Sequence, residues 1–138
     1  MAGRAGAASL FEREGFEAFV RALPATSLVR QWGDASVGKV GGKIFAIWGG
    51  GITGDAAALS FKCSDLAFAM LPELTGIRPA PYLARAKWVA ASADCALTQA
   101  EIAAYVREAH RLVAARLTRK ARAALGLEAL IAAAPQRA

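Results

Sequence analysis

The chain has few of the side chains from which metal sites and nucleophilic active sites are built. Its 138 residues include one histidine and two cysteines. Cys63 and Cys95 have no metal-ligand spacing and make no disulfide framework, so no zinc site is predicted. Cys63 follows a predicted core strand and is expected to be a small buried apolar residue. Any Ser/His/Asp or Cys/His site would have to use His110, whose place at the edge of an apolar helix face favours a partly buried structural role instead.

Long apolar runs are also missing. The hydrophobic fraction is 56%, but 35 of these residues are alanines, which mainly raise helix propensity. No uncharged run approaches the roughly 18 residues that a membrane-spanning helix needs. Residues 1–8 lack the apolar core of a signal peptide. We therefore expect a cytoplasmic protein with no membrane partner. Residues 9–126 are predicted to form a single domain, a monomer rather than an oligomer, between flexible tails at 1–8 and 127–138.

Positive charge is present in excess and is concentrated in one third of the chain. The net charge is +6, from 17 basic and 11 acidic residues. Between Arg78 and Arg122 lie nine cations and three carboxylates, whereas the remaining residues carry eight charges of each sign. A clustered basic surface attracts polyanions by releasing their condensed counterions and by steering encounter. The alternative is a solvated helix face without a partner.

The first half of the chain predicts one helix followed by an antiparallel meander. Ser9 and Glu12 have the spacing of a capping box and predict a helix over residues 10–23, which Pro24 ends. Gly41-Gly42 between two strand-like runs is typical of a two-residue hairpin turn, because both positions can adopt positive φ. Short runs rich in β-branched and aromatic residues predict strands at 28–32, 36–40, 43–48 and 57–62.

The second half predicts helices around one further strand. Ser64 is the expected N-cap of a short helix ending at Leu71, residues 75–87 are expected to be a loop, and residues 88–91 a strand. Thr98 and Glu101 form a capping box before an amphipathic helix that is predicted to reach Ala124. The fold class is therefore α+β, with about four or five antiparallel strands, a short helix, and the C-terminal helix packed on one sheet face.

A glycine-rich segment gives a misleading nucleotide-binding signal. Gly49-Gly-Gly51-Ile-Thr-Gly54 matches the G-x-G-x-x-G pattern after a strand. A dinucleotide site also needs a helix that begins there, and the residues that follow are short and strand-like. A flexible hairpin loop is therefore favoured, and no P-loop is present because no Gly-Lys-Ser/Thr follows.

The sequence resembles the MmcQ/YjbR family over roughly residues 16–125. The resemblance rests on Val40-Gly-Gly-Lys-Ile-Phe-Ala, Leu59-Ser-Phe-Lys-Cys, Gly76-Ile77 with Pro81-Tyr82, Lys87-Trp88 and a basic final helix, in that order. It implies a frataxin-like (CyaY-like) α+β fold and a DNA-binding function without enzymatic activity. The chain departs from the family pattern at His110, where the family often has an aromatic residue.

Iron binding is not carried over from the fold resemblance. Frataxin-like proteins bind iron through a heavily acidic first helix, but Glu12, Glu14 and Glu17 are interrupted here by Arg13. Acids at a helix entry commonly complement the helix dipole. No metal or other cofactor is therefore expected.

Contact with DNA, mainly through its phosphates, is the predicted function. We expect a non-enzymatic DNA-binding or regulatory protein with weak sequence preference, because no helix carries the side chains that read base edges. The alternative is a module that binds a protein or a small ligand through an exposed sheet face and the loop at 79–87. The candidate nucleic-acid contacts are Lys39, Lys43, Lys62, Arg78, Tyr82, Arg85, Lys87, Arg107, Arg111, Arg119 and Lys120.

Overall fold

The chain alternates between one helix, a run of strands and a helical C-terminal part. The computed structural model describes residues 9–31, 33–49, 58–81 and 83–132. Within these ranges the strands are β1 (Thr26–Gln31), β2 (Ala35–Val40), β3 (Lys43–Trp48), β4 (Leu59–Lys62), β5 (Ile77–Pro79) and β6 (Trp88–Ala91). The helices are α1 (Arg13–Arg21), α2 (Asp65–Met70), α3 (Gln99–Ala115), α4 (Arg119–Ala124) and α5 (Glu128–Ala132), with 3-10 turns at Leu71–Glu73 and Ala84–Ala86.

The strands form one antiparallel sheet with the order β1-β2-β3-β4-β6-β5. The α+β class and the meander are confirmed, but the described residues hold one strand more than the four or five predicted. The additional strand, β5, lies in the segment predicted as a loop. It is three residues long and contains Pro79. Proline has no N–H to donate, and an edge strand tolerates it because an edge strand has a neighbouring strand on one side only. Pairing with β6 therefore outweighs the local turn signals.

The main core lies between one sheet face and helices α1 and α3. Phe16 of α1, Phe45 and Phe61 of the sheet, and Ile102 and Val106 of α3 are all fully buried. Burial of these large side chains is worth roughly 1.5–3 kcal/mol each and fixes α3 across the sheet. The predicted packing of the C-terminal helix on one sheet face is therefore confirmed.

The centre of the opposite sheet face is buried as well, whereas Val29 of the edge strand β1, on the same face as Val37, is 36% exposed. Val37, Ile47 and Ala90 are on this face and are each at most 1% exposed. Trp88 and Leu83 pack in the same cluster. The expectation of an exposed face is therefore wrong for the central strands, and the alternative function that relied on this face stays a prediction.

The caps of α2 and α3 form as predicted. The Ser64 hydroxyl accepts a hydrogen bond from the Ala67 backbone N–H. At α3, Thr98 Oγ1 accepts from the Glu101 N–H at 3.1 Å, and the Glu101 carboxylate accepts from the Thr98 N–H at 2.9 Å. The capping box therefore satisfies two backbone donors that the first turn of a helix leaves open.

The predicted capping box at the first helix is wrong. Ser9 Oγ accepts from the Phe11 N–H, two residues away, and α1 begins at Arg13 with Glu12 as an N-cap that makes no side-chain capping bond. The Ser9 hydroxyl closes a local turn, which is a common competing use of this side chain.

The C-terminal part differs from the prediction in two places. The final helix ends at Ala115, and α4 restarts after Thr118, whose hydroxyl accepts from the Ala121 N–H. Leu127 is fully buried in the main core and α5 follows it. The prediction of a flexible tail from residue 127 is therefore wrong for Leu127. The α5 helix that follows Leu127 contacts α3 and holds this segment on the core. Residues 1–8 and 133–138 lie outside the described ranges.

Candidate anion-binding groove

Five cations line a groove at one end of the sheet. The groove has a volume of about 710 Å³ and lies where β3 and β6 begin, β4 ends and α3 ends. One carboxylate, Asp65, is in its lining, so the charged side chains that surround it sum to +4. The lining residues are Lys43, Ile44, Lys62, Asp65, Arg85, Ala86, Lys87, Val113 and Arg116.

The β2–β3 hairpin and the end of α3 form one side of the groove. Gly41 and Gly42 have φ values of +57° and +84°, so the turn closes in two residues and Lys43 becomes the first residue of β3. A Cβ at Gly41 would lie 2.6 Å from Leu117 Cδ1, which shows how closely the chain after α3 packs on the turn. This packing brings Arg116, at the C-cap of α3, to the same end of the sheet as Lys43.

The opposite side is formed by the 3-10 turn before β6. Lys87 follows this turn in the left-handed region, at φ +66°, and its N–H donates to the Ala84 carbonyl. Lys62 Nζ donates to the Ala86 carbonyl at 2.6 Å. The Lys87 ammonium lies 5.2 Å from the centroid of the Phe68 ring. Both lysine side chains are therefore held in position by contacts with the chain.

The groove has exposed cations at its rim and half-buried cations inside. Lys43, Arg85 and Arg116 are exposed, whereas Lys62 and Lys87 are half-buried. Burial lowers the pKa of Lys62, and the neighbouring charges of Arg116 and, to a smaller extent, Lys87 lower it further, whereas Cys63 and Asp65 act in the opposite direction.

Carboxylates do not neutralise this cluster. Within the described residues, none of the five groove cations makes an ion pair, whereas Arg111 pairs with Glu108 at 2.6 Å and Arg122 with Glu128 at 3.7 Å. Like charges at close range disfavour one another, and a bound anion relieves that repulsion. The arrangement can therefore hold a phosphate or another compact anion by charge-assisted hydrogen bonds.

Four of the predicted contact residues lie together in this groove: Lys43, Lys62, Arg85 and Lys87. Lys39 lies on β2 opposite Ile44 and is outside the lining. Arg78 is exposed on the edge strand β5. Tyr82 and the glycine-rich segment after Gly49 lie outside the described residues.

The predicted cations of α3 do not join the groove. The Arg107 guanidinium stacks over Phe19 of α1, at 5.5 Å from the ring centroid. Nine residues separate Arg107 from Arg116, about 13.5 Å along a helix and half a turn around it, so the two face opposite sides. Arg111 is half-buried and makes two hydrogen bonds with the Glu108 carboxylate.

The α4 cations also lie outside the lining, and their helix position differs from the prediction. A helix that reached Ala124, as predicted, would place Arg119 and Lys120 near its C-terminus, where cations complement the dipole. The helix is interrupted before Thr118, which is the N-cap of α4, and the two cations therefore lie in the first turn of α4 instead. The dipole therefore does not account for these two charges.

Arg116 is the groove residue that sequence reasoning missed. It belongs to the basic third of the chain, but nothing in the local pattern distinguishes it from Arg107 or Arg111. Its place follows from the end of α3 one residue earlier and from the contact of Leu117 with the hairpin.

Two of the side chains considered for catalysis, His110 and Cys63, lie buried in the protein. His110 is 1% exposed, and its Nε2 lies 2.8 Å from the Pro24 carbonyl oxygen. Burial lowers its pKa, and the bond to Pro24 partly opposes this. Burial raises the pKa of the Cys63 thiol to about 11, which disfavours the thiolate. The burial predicted for Cys63 is confirmed, and His110 is buried more completely than the partial burial predicted for it.

Glu17, an acidic residue of α1, makes polar contacts that join the helix to the sheet. The Glu17 carboxylate accepts a hydrogen bond from the Ser36 hydroxyl at 2.6 Å and lies near Arg30 and Arg21. The Ser36 bond is the main cause that lowers the pKa of Glu17. In the described ranges, no cluster of three His, Cys, Asp or Glu residues suited to a metal ion is found. Among the same residues, no helix has the length and hydropathy to cross a membrane.

The fold and the groove define an α+β protein with an open antiparallel sheet and a basic end. The chain belongs to the YjbR family, whose family model matches residues 21–112. Among curated proteins no match is found. A similar solved structure is that of protein DR2400 from Deinococcus radiodurans, which carries the family-model domain DUF419. Its TM-score is 0.68 at 19% identity, over 82% of this chain and 86% of that one. This similarity shows a shared fold.

Proposed function

We propose that this protein is a non-enzymatic nucleic-acid-binding protein that holds DNA by its phosphates in the groove described above. The observation that carries the proposal is the convergence of Lys43, Lys62, Arg85, Lys87 and Arg116 from separate segments of the chain onto one groove with a single carboxylate.

The chemistry of the groove favours phosphate over other ligands. Small-molecule pockets are lined mainly by apolar and aromatic side chains, whereas six of the nine lining residues here are charged. Lysine ammonium groups and arginine guanidinium groups commonly donate hydrogen bonds to phosphate oxygens in protein–DNA contacts.

Weak sequence preference follows from the placement of α3. Its residues Ile102, Val106 and Val113 are buried against the sheet, and its cations Arg107 and Arg111 contact Phe19 and Glu108. Backbone contacts position a protein on a duplex without reading the bases. We therefore expect binding that depends strongly on salt and little on sequence.

Fluorescence anisotropy with a labelled DNA duplex at several salt concentrations tests the proposal. With phosphate contacts at the three exposed cations Lys43, Arg85 and Arg116, log K falls against log salt with a slope of about −2.7. The double variant Arg85→Ala/Arg116→Ala removes two groove charges and reduces the slope by about 1.8. Arg119→Ala/Lys120→Ala is the matched control, since it removes the same charge outside the groove.

Equal effects of the two double variants would show that overall charge, and not the groove, attracts DNA. Absence of binding at about 50 mM salt, or binding that salt does not change, would remove the proposal entirely.

A further inference from the structure

The interior of the groove is suited to a different phosphate from those along a duplex. Lys62 and Lys87 are half-buried, and the exposed side chains of Lys43, Arg85 and Arg116 stand around them. The phosphates of a duplex lie on a convex surface and reach the rim of the groove more readily than its interior. A phosphate at a chain end protrudes and can enter.

The positive charge in the interior of the groove matches the negative charge of a phosphomonoester. A terminal phosphate carries about −1.5 to −2 at pH 7, whereas an internal phosphodiester carries a single charge. Lys62 lines the groove together with Arg116 and Lys87 and is close enough to each of them to be repelled by its charge. A dianion between them relieves more of this repulsion than a monoanion does.

The ammonium groups in the interior of the groove are also held in place before a ligand binds. The Lys62 ammonium is fixed by its 2.6 Å hydrogen bond to the Ala86 carbonyl, which uses one of its three N–H donors. The Lys87 ammonium is fixed against the Phe68 ring. Holding the side chains beforehand lowers the entropy that binding must spend on ordering them.

We propose that Lys62 and Lys87, together with Arg116, form a subsite for a phosphomonoester. This proposal deepens the proposed function, on which it rests for the nucleic-acid ligand. The same chemistry is presented by the phosphorylated end of a nucleic-acid strand and by a free mononucleotide.

The first arm of the test compares single-stranded DNA oligonucleotides with and without a 5′-phosphate, labelled at the 3′ end, by fluorescence anisotropy. We expect the 5′-phosphate to tighten binding at least about fivefold, since hydrogen bonds to charged groups are among the strong ones. Lys62→Met brings this ratio close to one. Lys62→Arg retains a cation and restores part of the ratio, and Arg119→Ala/Lys120→Ala leaves it unchanged.

The second arm identifies the source of the phosphate. Calorimetric titration with adenosine 5′-monophosphate is compared with titration by adenosine, which lacks the monoester. If the monophosphate alone binds as tightly as the phosphorylated oligonucleotide does, the ligand is a free mononucleotide. If it binds far more weakly, the ligand is the end of a strand.

The subsite is overturned if the 5′-phosphate changes oligonucleotide binding by less than about twofold and the monophosphate binds no better than adenosine. It is also overturned if Lys62→Met weakens the phosphorylated and unphosphorylated strands equally. In both cases salt-dependent duplex binding that Arg85→Ala/Arg116→Ala weakens would leave the proposed function intact, so the two failures are distinguishable.

Discussion

The folded state should lose stability in mild acid because of one side chain, His110. The ring is 1% exposed, lies edge-on to Phe45 with 5.3 Å between ring centroids, and is 2.8 Å from the Pro24 carbonyl through Nε2. A carbonyl oxygen only accepts, so Nε2 carries a proton and the neutral ring already satisfies this contact. A second proton on Nδ1 would place a charge in the core.

The sign and the limit of the effect follow from proton linkage. Burial lowers the pKa of His110 from its ordinary value of 6.5, so the unfolded chain binds a proton more readily than the folded one. The free energy of unfolding therefore falls as the pH drops below about 6.5, until the folded-state pKa is reached. One proton gives a slope of at most about 1.4 kcal/mol per pH unit, so at pH 5.5 the loss is at most about 1.4 kcal/mol.

Urea denaturation of the wild type and of His110→Gln between pH 5.5 and 7.5 measures this effect. Glutamine keeps an N–H donor for the Pro24 carbonyl and has no charge to gain, and the chain has no other histidine. We expect the difference between the two unfolding free energies to shift in favour of the variant as the pH falls. Parallel curves would refute the argument, because any loss of packing in the variant adds only a constant offset.

Three further predictions concern the packing of the fold. Leu127→Ala should cost about 2–5 kcal/mol in urea denaturation, because Leu127 is fully buried, whereas Leu125→Ala, at 40% exposure, should cost much less. Equal costs would mean that the segment does not pack. Gly41→Ala and Gly42→Ala should each cost at least about 1 kcal/mol from positive φ, and Gly41→Ala more, since its Cβ also meets Leu117. A smaller loss for Gly41→Ala would contradict the close contact. Thr98→Ala should cost about 1 kcal/mol by loss of the capping box, while Thr98→Ser should restore most of it. Equal thermal stability of these two variants would argue against the cap.

Local sequence signals predicted well wherever a few neighbouring residues settle the structure. The Gly41-Gly42 turn, the Thr98 capping box and strand β6 were all found as predicted, because each depends on backbone freedom, a short hydrogen bond or side-chain alternation. The Glu108–Arg111 ion pair is equally local, because residues three apart meet on a helix surface, but it was not predicted.

Signals of equal local strength failed where another part of the chain competed. Ser9 and Glu12 have the spacing of a capping box, but the Ser9 hydroxyl bonds to Phe11 instead. Strand β5 exists because its neighbour β6 offers hydrogen bonds, and no pattern within three residues reports that. Leu127 was assigned to a tail because the residues around it are alanine-rich, whereas its burial depends on the core beneath.

The groove shows the same difference between what local sequence determines and what contacts between distant parts of the chain determine. The excess of positive charge, its concentration in one third of the chain and the scarcity of histidine and cysteine are properties of the sequence, and they favoured an anion over a metal. Which cations act together was decided by tertiary structure. Arg111 and Arg116 lie five residues apart, yet the first pairs with Glu108 and the second lines the same groove as Lys62, which is 54 residues earlier in the chain. Sheet pairing and the end of α3 bring Lys62 and Arg116 to one groove. Coulomb forces depend on the distance between two charges in space and not on their separation along the chain.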